Sequence, residues 1–153
     1  MNGLLVANDL LLFLCASMYL GTGWSLVLFQ FPSRPQMTVE SYYNQFVPQV
    51  TRATKFFTWM TIVMIATAIV MLVSEWGSWE MLAPVVVLAG VLAATGLTIW
   101  WILPINKQLE AGISGVDELQ ALLKRWMKLN TIRVGLWTVQ WLALALYFGA
   151  KLR

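Results

Sequence analysis

The stretch at residues 82–103, LAPVVVLAGVLAATGLTIWWIL, decides the fold class of this chain. It contains no charged side chain, and about 20 apolar residues in a helix are enough to cross the roughly 30 Å hydrocarbon core of a bilayer. Three further apolar stretches of similar length lie at about residues 10–31, 53–73 and 129–150. We therefore predict an all-α integral membrane protein in which residues 1–153 form a single domain, a bundle of four transmembrane helices.

The composition excludes several classes of protein. Of the 153 residues, 59% are hydrophobic and 11% are charged, whereas an average soluble domain is about 25% charged. The net charge of +3 is spread between apolar runs, which argues against binding of nucleic acid. The chain has no histidine and a single cysteine, Cys15, so an intrachain disulfide, a thiolate cluster and histidine-ligated haem, copper or zinc are excluded. We expect no metal and no other cofactor.

The distribution of Lys and Arg predicts the orientation of the chain. Seven of these residues lie in or beside the two long connections between the predicted spans: Arg34, Arg52, Lys55, Lys107, Lys124, Arg125 and Lys128. Lys151 and Arg153 lie on the opposite side. Because cytoplasmic loops carry an excess of basic residues, we expect both long loops in the cytoplasm and both termini on the periplasmic or extracellular side of a cell inner membrane. The first span lacks a basic leader and a cleavage site, so we expect it to be retained.

The ends of the first, third and fourth helices can be predicted from local sequence. Pro32 and Pro104 are expected to end the first and third helices, because proline blocks helix continuation. The fourth helix is expected to begin near Asp117, where apolar residues follow the helical period on one face: Leu119, Leu122, Leu123, Trp126 and Met127. These first turns predict an amphipathic stem on the cytoplasmic surface.

A polar stripe on the fourth helix gives the candidate site. Its members recur at helical spacing and so share one face: Trp126, Asn130, Arg133, Trp137 and Gln140. Arg133 lies about one turn inside the predicted span, where a guanidinium must pair, reach the interface or face a polar pocket. The functional interpretation is a site for an anionic or phenolate ligand, and the structural alternative is an interfacial anchor with a polar packing seam. The candidate ligand-binding residues are Asn106, Trp126, Asn130, Arg133 and Trp137.

Other polar or soft residues favour structural roles. Asn106 can bond the carbonyls that end the third helix, or the stem of the fourth helix. Small and hydroxyl side chains on the second and third helices are typical of helix contacts in membranes: Thr51, Thr54, Thr58, Thr61, Gly90 and Ala94. Methionines of the second helix are interpreted as packing residues rather than ligands of Cu(I): Met60, Met64 and Met71. No carboxylate lies in the middle of a predicted span, which disfavours a proton-coupled transporter.

The loop motifs resemble the anthrone-oxygenase-like family of small membrane proteins, over nearly the whole chain. The residues that carry the resemblance are Pro32, Pro48, Leu103, Pro104, Asn106, Arg125, Trp126, Asn130 and Arg133. The resemblance implies chemistry without metal or flavin, of the kind by which fungal members oxidise anthrones to anthraquinones with O₂. It also implies a pocket of Asn106, Trp126, Asn130 and Arg133, in which the arginine holds a phenolate. Tyr19 and Tyr43 are the only evident bases, and no catalytic residue is assigned.

Two interpretations of function remain open at this point. The first is a small multi-pass membrane protein that acts as a subunit or partner of a larger membrane complex, or as a homo-oligomer. The alternative is a cofactor-independent oxygenase or binder of polycyclic phenols or quinones, with its polar pocket at the cytoplasmic end of helices three and four. The expected partners are the lipid bilayer and a hydrophobic aromatic ligand, and the sequence does not decide whether the protein is an enzyme.

Overall fold

The computed structural model describes residues 3–151, and the regular structure in that range is helical. Its α-helices are α1 (Gly3–Ser25), α2 (Val39–Gln45), α3 (Val47–Ser74), α4 (Leu82–Leu97), α5 (Leu103–Ala111) and α6 (Val116–Lys151). Together with short π and 3-10 turns they form four helical segments that are long and apolar enough to cross a membrane: Gly3–Gln36, Val39–Ser74, Trp79–Ala111 and Val116–Lys151. These four candidate spans indicate a multi-pass membrane protein and confirm the predicted all-α class.

The four long segments pack into one bundle. Helices α1 and α4 each contact both α3 and α6, so every segment has two neighbours. The core between them contains fully buried side chains from all four helices: Leu12, Met64, Val87 and Leu144. Met60 and Met71 belong to the same core, which confirms that the methionines of this segment are packing residues.

A second core lies at one end of the bundle, which we call the stem end. There the first turns of α6 bury Leu119 and Leu123 against apolar side chains of α2 and α5, including Tyr42 and Leu109. Helix α6 begins at Val116, and its first turns carry their charged residues on the exposed face, so the predicted helix start and the amphipathic pattern of these turns are confirmed. The opposite end contains the turn at residues 75–78, and we call it the hairpin end.

The third helical segment does not stop at Pro104, and that prediction was wrong. A π-turn at Thr98–Ile102 precedes α5, and Pro104 lies in the first turn of α5. A proline ring clashes with the carbonyl four residues earlier and cannot donate the helical hydrogen bond. Because the wider π-turn moves that carbonyl away, the chain continues helically to Ala111. This continuation brings Asn106 back onto the bundle.

The first helical segment also continues past its predicted end at Pro32. The α-helix ends at Ser25, but a π-turn at Leu26–Gln30 and a 3-10 turn at Phe31–Gln36 carry the helical path through Pro32. The backbone becomes extended only at Met37. The segment is therefore longer than the predicted span, and its last turn lies over the stem end of the bundle, where it contacts α6.

Two tryptophans connect α1 to α6. The Trp24 indole donates a hydrogen bond to Thr138 Oγ1 at 3.1 Å, and the Trp141 indole donates to Ser17 Oγ at 3.0 Å. Polar contacts of this kind between apolar helices fix their relative register.

Candidate ligand-binding cavity

A cavity of about 1030 Å³ lies between α1, α3, α4 and α6 and extends to the stem end. Gln45 and Gln49 line it near that end, whereas Met64, Val91 and Gln140 line it deeper in the bundle. Among the described residues no Asp or Glu lines the cavity, and its charged lining side chains are arginines. The cavity is therefore an apolar space with cationic groups on its wall.

Arg133 of α6 is the central polar group. Its Nη2 donates to Asn130 Oδ1 at 2.6 Å, and its Nη1 donates to Thr98 Oγ1 at 3.2 Å. The buried Nε has no hydrogen-bond partner, and within residues 3–151 no carboxylate pairs with this guanidinium. Since arginine has five N–H donors, three are left unused by the described residues, one each on Nη1, Nη2 and the buried Nε. Thr98 belongs to the π-turn before α5, so the irregular turn itself supplies one of the two neutral acceptors.

A chain of side-chain hydrogen bonds supports Arg133 from the stem end. The Trp126 indole donates to Asn106 Oδ1 at 2.9 Å, and Asn130 Nδ2 donates to the Trp126 carbonyl at 2.8 Å. Asn130 is 0% exposed. Because its amide nitrogen is held by the backbone, its oxygen is directed at Arg133. The predicted bond between Asn106 and the stem of the fourth helix is confirmed.

Aromatic rings form the wall beside Arg133. The Arg133 guanidinium lies 4.7 Å from the centroid of the Trp137 ring. The Trp137 ring in turn lies 4.7 Å from Tyr19 and 6.3 Å from Phe57, and the Tyr19 and Phe57 rings are 4.8 Å apart. The Tyr19 hydroxyl donates to the Phe57 carbonyl at 2.9 Å and lies 2.7 Å from Thr61 Oγ1. A flat aromatic molecule would meet ring faces and edges here.

The cavity contains four of the five predicted site residues. Asn106, Trp126, Arg133 and Trp137 line it, whereas Asn130 does not line it and acts by orienting the arginine. Of the two tyrosines considered as bases, Tyr19 lines the cavity, whereas Tyr43 does not line it and is half exposed.

Sequence reasoning missed Arg34, which lines the same cavity. This side chain is 5% exposed, donates from Nη2 to Gln30 Oε1 at 3.0 Å, and lies 4.6 Å above the Phe46 ring. The helix end predicted at Pro32 places Arg34 in a loop. The signal that could have found it is the helical spacing of Gly23, Gln30 and Arg34 on one face, continued through the proline.

Gln140 belongs to the predicted polar stripe but is not one of the predicted site residues. It is 1% exposed and lines the deep part of the cavity. Neither its Nε2 nor its Oε1 has a hydrogen-bond partner in the described part of the chain. Buried amides are almost always paired, so this side chain is an exception that requires an explanation.

The threonines of α3 divide between helix contacts and the cavity wall. Thr54, Thr58 and Thr61 line the cavity, and each donates its hydroxyl hydrogen to the backbone carbonyl four residues earlier. Thr51 and Thr61 also join two helices: Thr51 donates a hydrogen bond of 2.9 Å to Glu110 of α5, and Thr61 Oγ1 lies 2.7 Å from the Tyr19 hydroxyl of α1. The helix-contact interpretation is therefore confirmed for Thr51 and Thr61.

A separate polar cluster lies at the hairpin end, outside the cavity. The Tyr147 hydroxyl donates to Glu75 at 2.6 Å and lies 3.3 Å from Asp9 Oδ2, and the Lys151 ammonium lies 3.0 Å from Glu75 Oε1. Burial by itself raises the pKa of Glu75, but the hydrogen bonds from Tyr147 and Lys151 outweigh it and hold the pKa below its usual value. This cluster ties together α1, the end of α3 and the end of α6.

Comparison of the chain with protein-family models, with curated proteins and with solved structures gives no match. The assignment of function therefore rests on the cavity and its residues.

Proposed function

We propose that this protein is an intramembrane binding protein for a lipophilic aromatic compound that bears an acidic hydroxyl, a phenol or hydroxyquinone. The observation that carries the proposal is the guanidinium of Arg133, which has no acidic partner and an unbonded Nε among residues 3–151, on the wall of a cavity of about 1030 Å³. The resemblance to the anthrone-oxygenase-like family points to the same class of ligand.

The partner that Arg133 lacks is an anionic group. A charged side chain inside an apolar bundle is costly unless it is paired. Its two acceptors, Asn130 and Thr98, are neutral, and Arg34 on the same cavity also has no acidic partner within residues 3–151. A phenolate oxygen would supply the missing charge and accept charge-assisted hydrogen bonds.

The rings of Tyr19, Phe57 and Trp137 favour an aromatic ligand over an acyl chain. Rings in contact gain stacking or edge-to-face attraction beyond the area that they bury. The volume suffices, since pockets for small molecules measure about 300–1,000 Å³.

The proposal includes the orientation of the protein in the membrane. Lys124 and Arg125 lie at the stem end, and we infer from the excess of basic residues that this end is cytoplasmic, in a cell inner membrane, with both termini outside. Single cysteines placed at Trp76 and at Lys107 in a Cys15→Ala background test this arrangement. An impermeant maleimide added to intact cells should label position 76 and spare position 107, and the reverse pattern would overturn the orientation.

Binding of 2-hydroxyanthraquinone to the protein in nanodiscs tests the function. Its methyl ether, 2-methoxyanthraquinone, has the same ring system but no ionisable hydroxyl. Arg133→Met should weaken binding of the hydroxy compound at least about tenfold, because a charge-assisted hydrogen bond is lost, and should leave binding of the ether unchanged.

The control for this experiment is Arg125→Met, which removes an exposed arginine of the same helix and should change neither affinity. Equal binding of both compounds to wild type would contradict the proposal. A chain that binds neither compound but purifies with another membrane protein would favour the interpretation as a subunit of a larger complex.

Tyr19 supports a second candidate function, cofactor-independent oxygenation. Its side chain lies on the cavity wall beside Trp137. The phenol donates its hydrogen to the Phe57 carbonyl, so Tyr19 would act as the base in its ionised form, which would take a proton from an anthrone. The overall reaction converts an anthrone and O₂ into an anthraquinone and water. Oxygen uptake by the purified protein on addition of anthrone, abolished in Tyr19→Phe, would establish it; binding without uptake would leave the protein a binder.

A further inference from the structure

We propose that Gln140 is a second anchor for the ligand, and that the ligand therefore carries a hydroxyl at the end opposite its acidic oxygen. The inference rests on the proposed function and narrows its ligand class to linear aromatic compounds with oxygen substituents at both ends. Three observations support the inference. They are the carboxamide of Gln140, unpaired among the described residues, its contact with the backbone of Gly90, and the spacing of Arg133 and Gln140 along α6.

The carboxamide of Gln140 leaves both its donor and its acceptor unused among the described residues. The side chain is 1% exposed, lines the cavity, and uses neither Nε2 nor Oε1 in a hydrogen bond with any described residue. An amide that served only helix packing would form a hydrogen bond with a neighbouring helix, as the indole N–H groups of Trp24 and Trp141 do. A hydroxyl group is the simplest complement, because it donates to Oε1 and accepts from Nε2.

The position of the carboxamide is fixed by α4. A Cβ atom at Gly90 would lie 2.6 Å from Cγ and from Nε2 of Gln140, so the side chain lies against bare backbone. A side chain confined in this way has lost most of its rotamers before a ligand arrives, and binding then costs little further entropy.

The spacing between the two anchors sets the shape of the ligand. Arg133 and Gln140 are seven residues apart, which places them on one face of the helix and about 10 Å apart along its axis. Trp137 lies between them and contacts Tyr19. A ligand that reaches both anchors must therefore be elongated, and its middle must be flat enough to lie against the Trp137 ring.

The test compares 2,6-dihydroxyanthraquinone with 2-hydroxyanthraquinone, which lacks the second hydroxyl, on the protein in nanodiscs. Wild type should bind the dihydroxy compound about tenfold more tightly, the gain expected for one or two hydrogen bonds to a buried amide. Gln140→Leu should bind the two compounds equally, with its affinity for the monohydroxy compound unchanged or higher. Gln108→Leu, which changes an exposed glutamine of α5 that does not line the cavity, should keep the wild-type preference.

The outcomes separate the two proposals. No preference in wild type, or a preference that survives in Gln140→Leu, would overturn the role of Gln140 and leave the proposed function standing. Failure of wild type to bind either compound would overturn both. If Gln140→Leu does not fold, Gln140→Met preserves the length of the side chain, and the wild-type preference alone still decides whether a second anchor exists.

Discussion

The backbone of Gly90 lies against the side chain of Gln140. A Cβ atom added to Gly90 would come within 2.6 Å of both Cγ and Nε2 of Gln140, a separation that Cβ atoms in proteins do not show. Gln140 can therefore occupy its observed position only opposite glycine. The small residue in α4 is explained by this particular contact, which is more specific than the general helix packing predicted from the sequence.

Gly90→Ala should lower the free energy of unfolding by about 1–3 kcal/mol, the usual cost of overpacking a core. The added methyl group must displace Cγ as well as the end of the side chain. Gly90→Ala combined with Gln140→Ala should recover most of that loss, because the second change removes the atoms that collide. Unfolding of the single and double variants in mixed micelles measures the coupling.

The matched control for this cycle is Gly135→Ala on α6, where an added Cβ meets no atom within 4 Å. Its stability should stay the same or rise slightly, because alanine is the better helix former. A Gly90→Ala protein as stable as the Gly135→Ala protein would contradict the contact.

Replacing Asn106 with leucine should destabilise the stem end by about 1–3 kcal/mol, since it leaves the buried Trp126 indole N–H without an acceptor. Trp126→Phe should also lower the free energy of unfolding, because Asn106 then loses its hydrogen-bond donor and the smaller phenyl ring fills less of the core. The double variant removes both polar groups and should cost less than the sum of the two single changes. Strictly additive losses in the same unfolding assay would argue that the 2.9 Å bond contributes nothing.

The sequence was sufficient to predict the bundle because the length and the apolar composition of each helical segment are properties of that segment alone. The four spans, the start of α6 at Val116 and the common face of Trp126, Arg133 and Trp137 all follow from local periodicity. These features depend on no contact between helices, so one sequence can reveal them.

What the sequence did not predict depends on contacts between segments. The burial of Arg34 requires the helical path to continue past Pro32, and the cavity wall formed by Thr58 requires α3 and α4 to leave space between them. That Gln140 has no hydrogen-bond partner in the described part of the chain becomes visible only when the neighbouring helices have been placed. Local patterns indicate which face of a helix is buried, but they do not indicate whether that face meets protein or empty space.

Asn130→Leu should weaken binding of 2-hydroxyanthraquinone about fivefold while the affinity for 2-methoxyanthraquinone stays constant. Asn130 does not line the cavity, but its oxygen holds Nη2 of Arg133 at 2.6 Å, so its loss leaves the guanidinium less well oriented for an anion. The neighbouring Thr131→Val removes an exposed hydroxyl that bonds only to its own helix, and it should change neither affinity. Equal losses for the two compounds would mean that Asn130 acts on packing rather than on the orientation of Arg133.

The cluster at the hairpin end should make stability depend on pH through Glu75. The pKa of this carboxyl is lower in the folded protein than its usual value of 4.5, owing to the hydrogen bonds from Tyr147 and Lys151 that outweigh its burial. A lowered folded pKa means that the unfolded chain binds the proton more readily. The stabilising contribution is therefore complete above pH 4.5 and is lost as the pH falls through the folded pKa.

Glu75→Gln removes this titration, so the difference in unfolding free energy between wild type and the variant should shrink as the pH is lowered from 7 towards 3. Asp9, Tyr147 and Lys151 also face Glu75. Because the charge on Asp9 interacts with the charge on Glu75, the two proteins are compared again in an Asp9→Asn background, where the difference should shrink in the same direction. Glu40→Gln on the exposed face of α2 provides the matched control and should give a difference close to zero throughout. A Glu75→Gln difference that stays constant or grows towards acid pH would mean that the carboxylate is not held by Tyr147 and Lys151 in the folded protein.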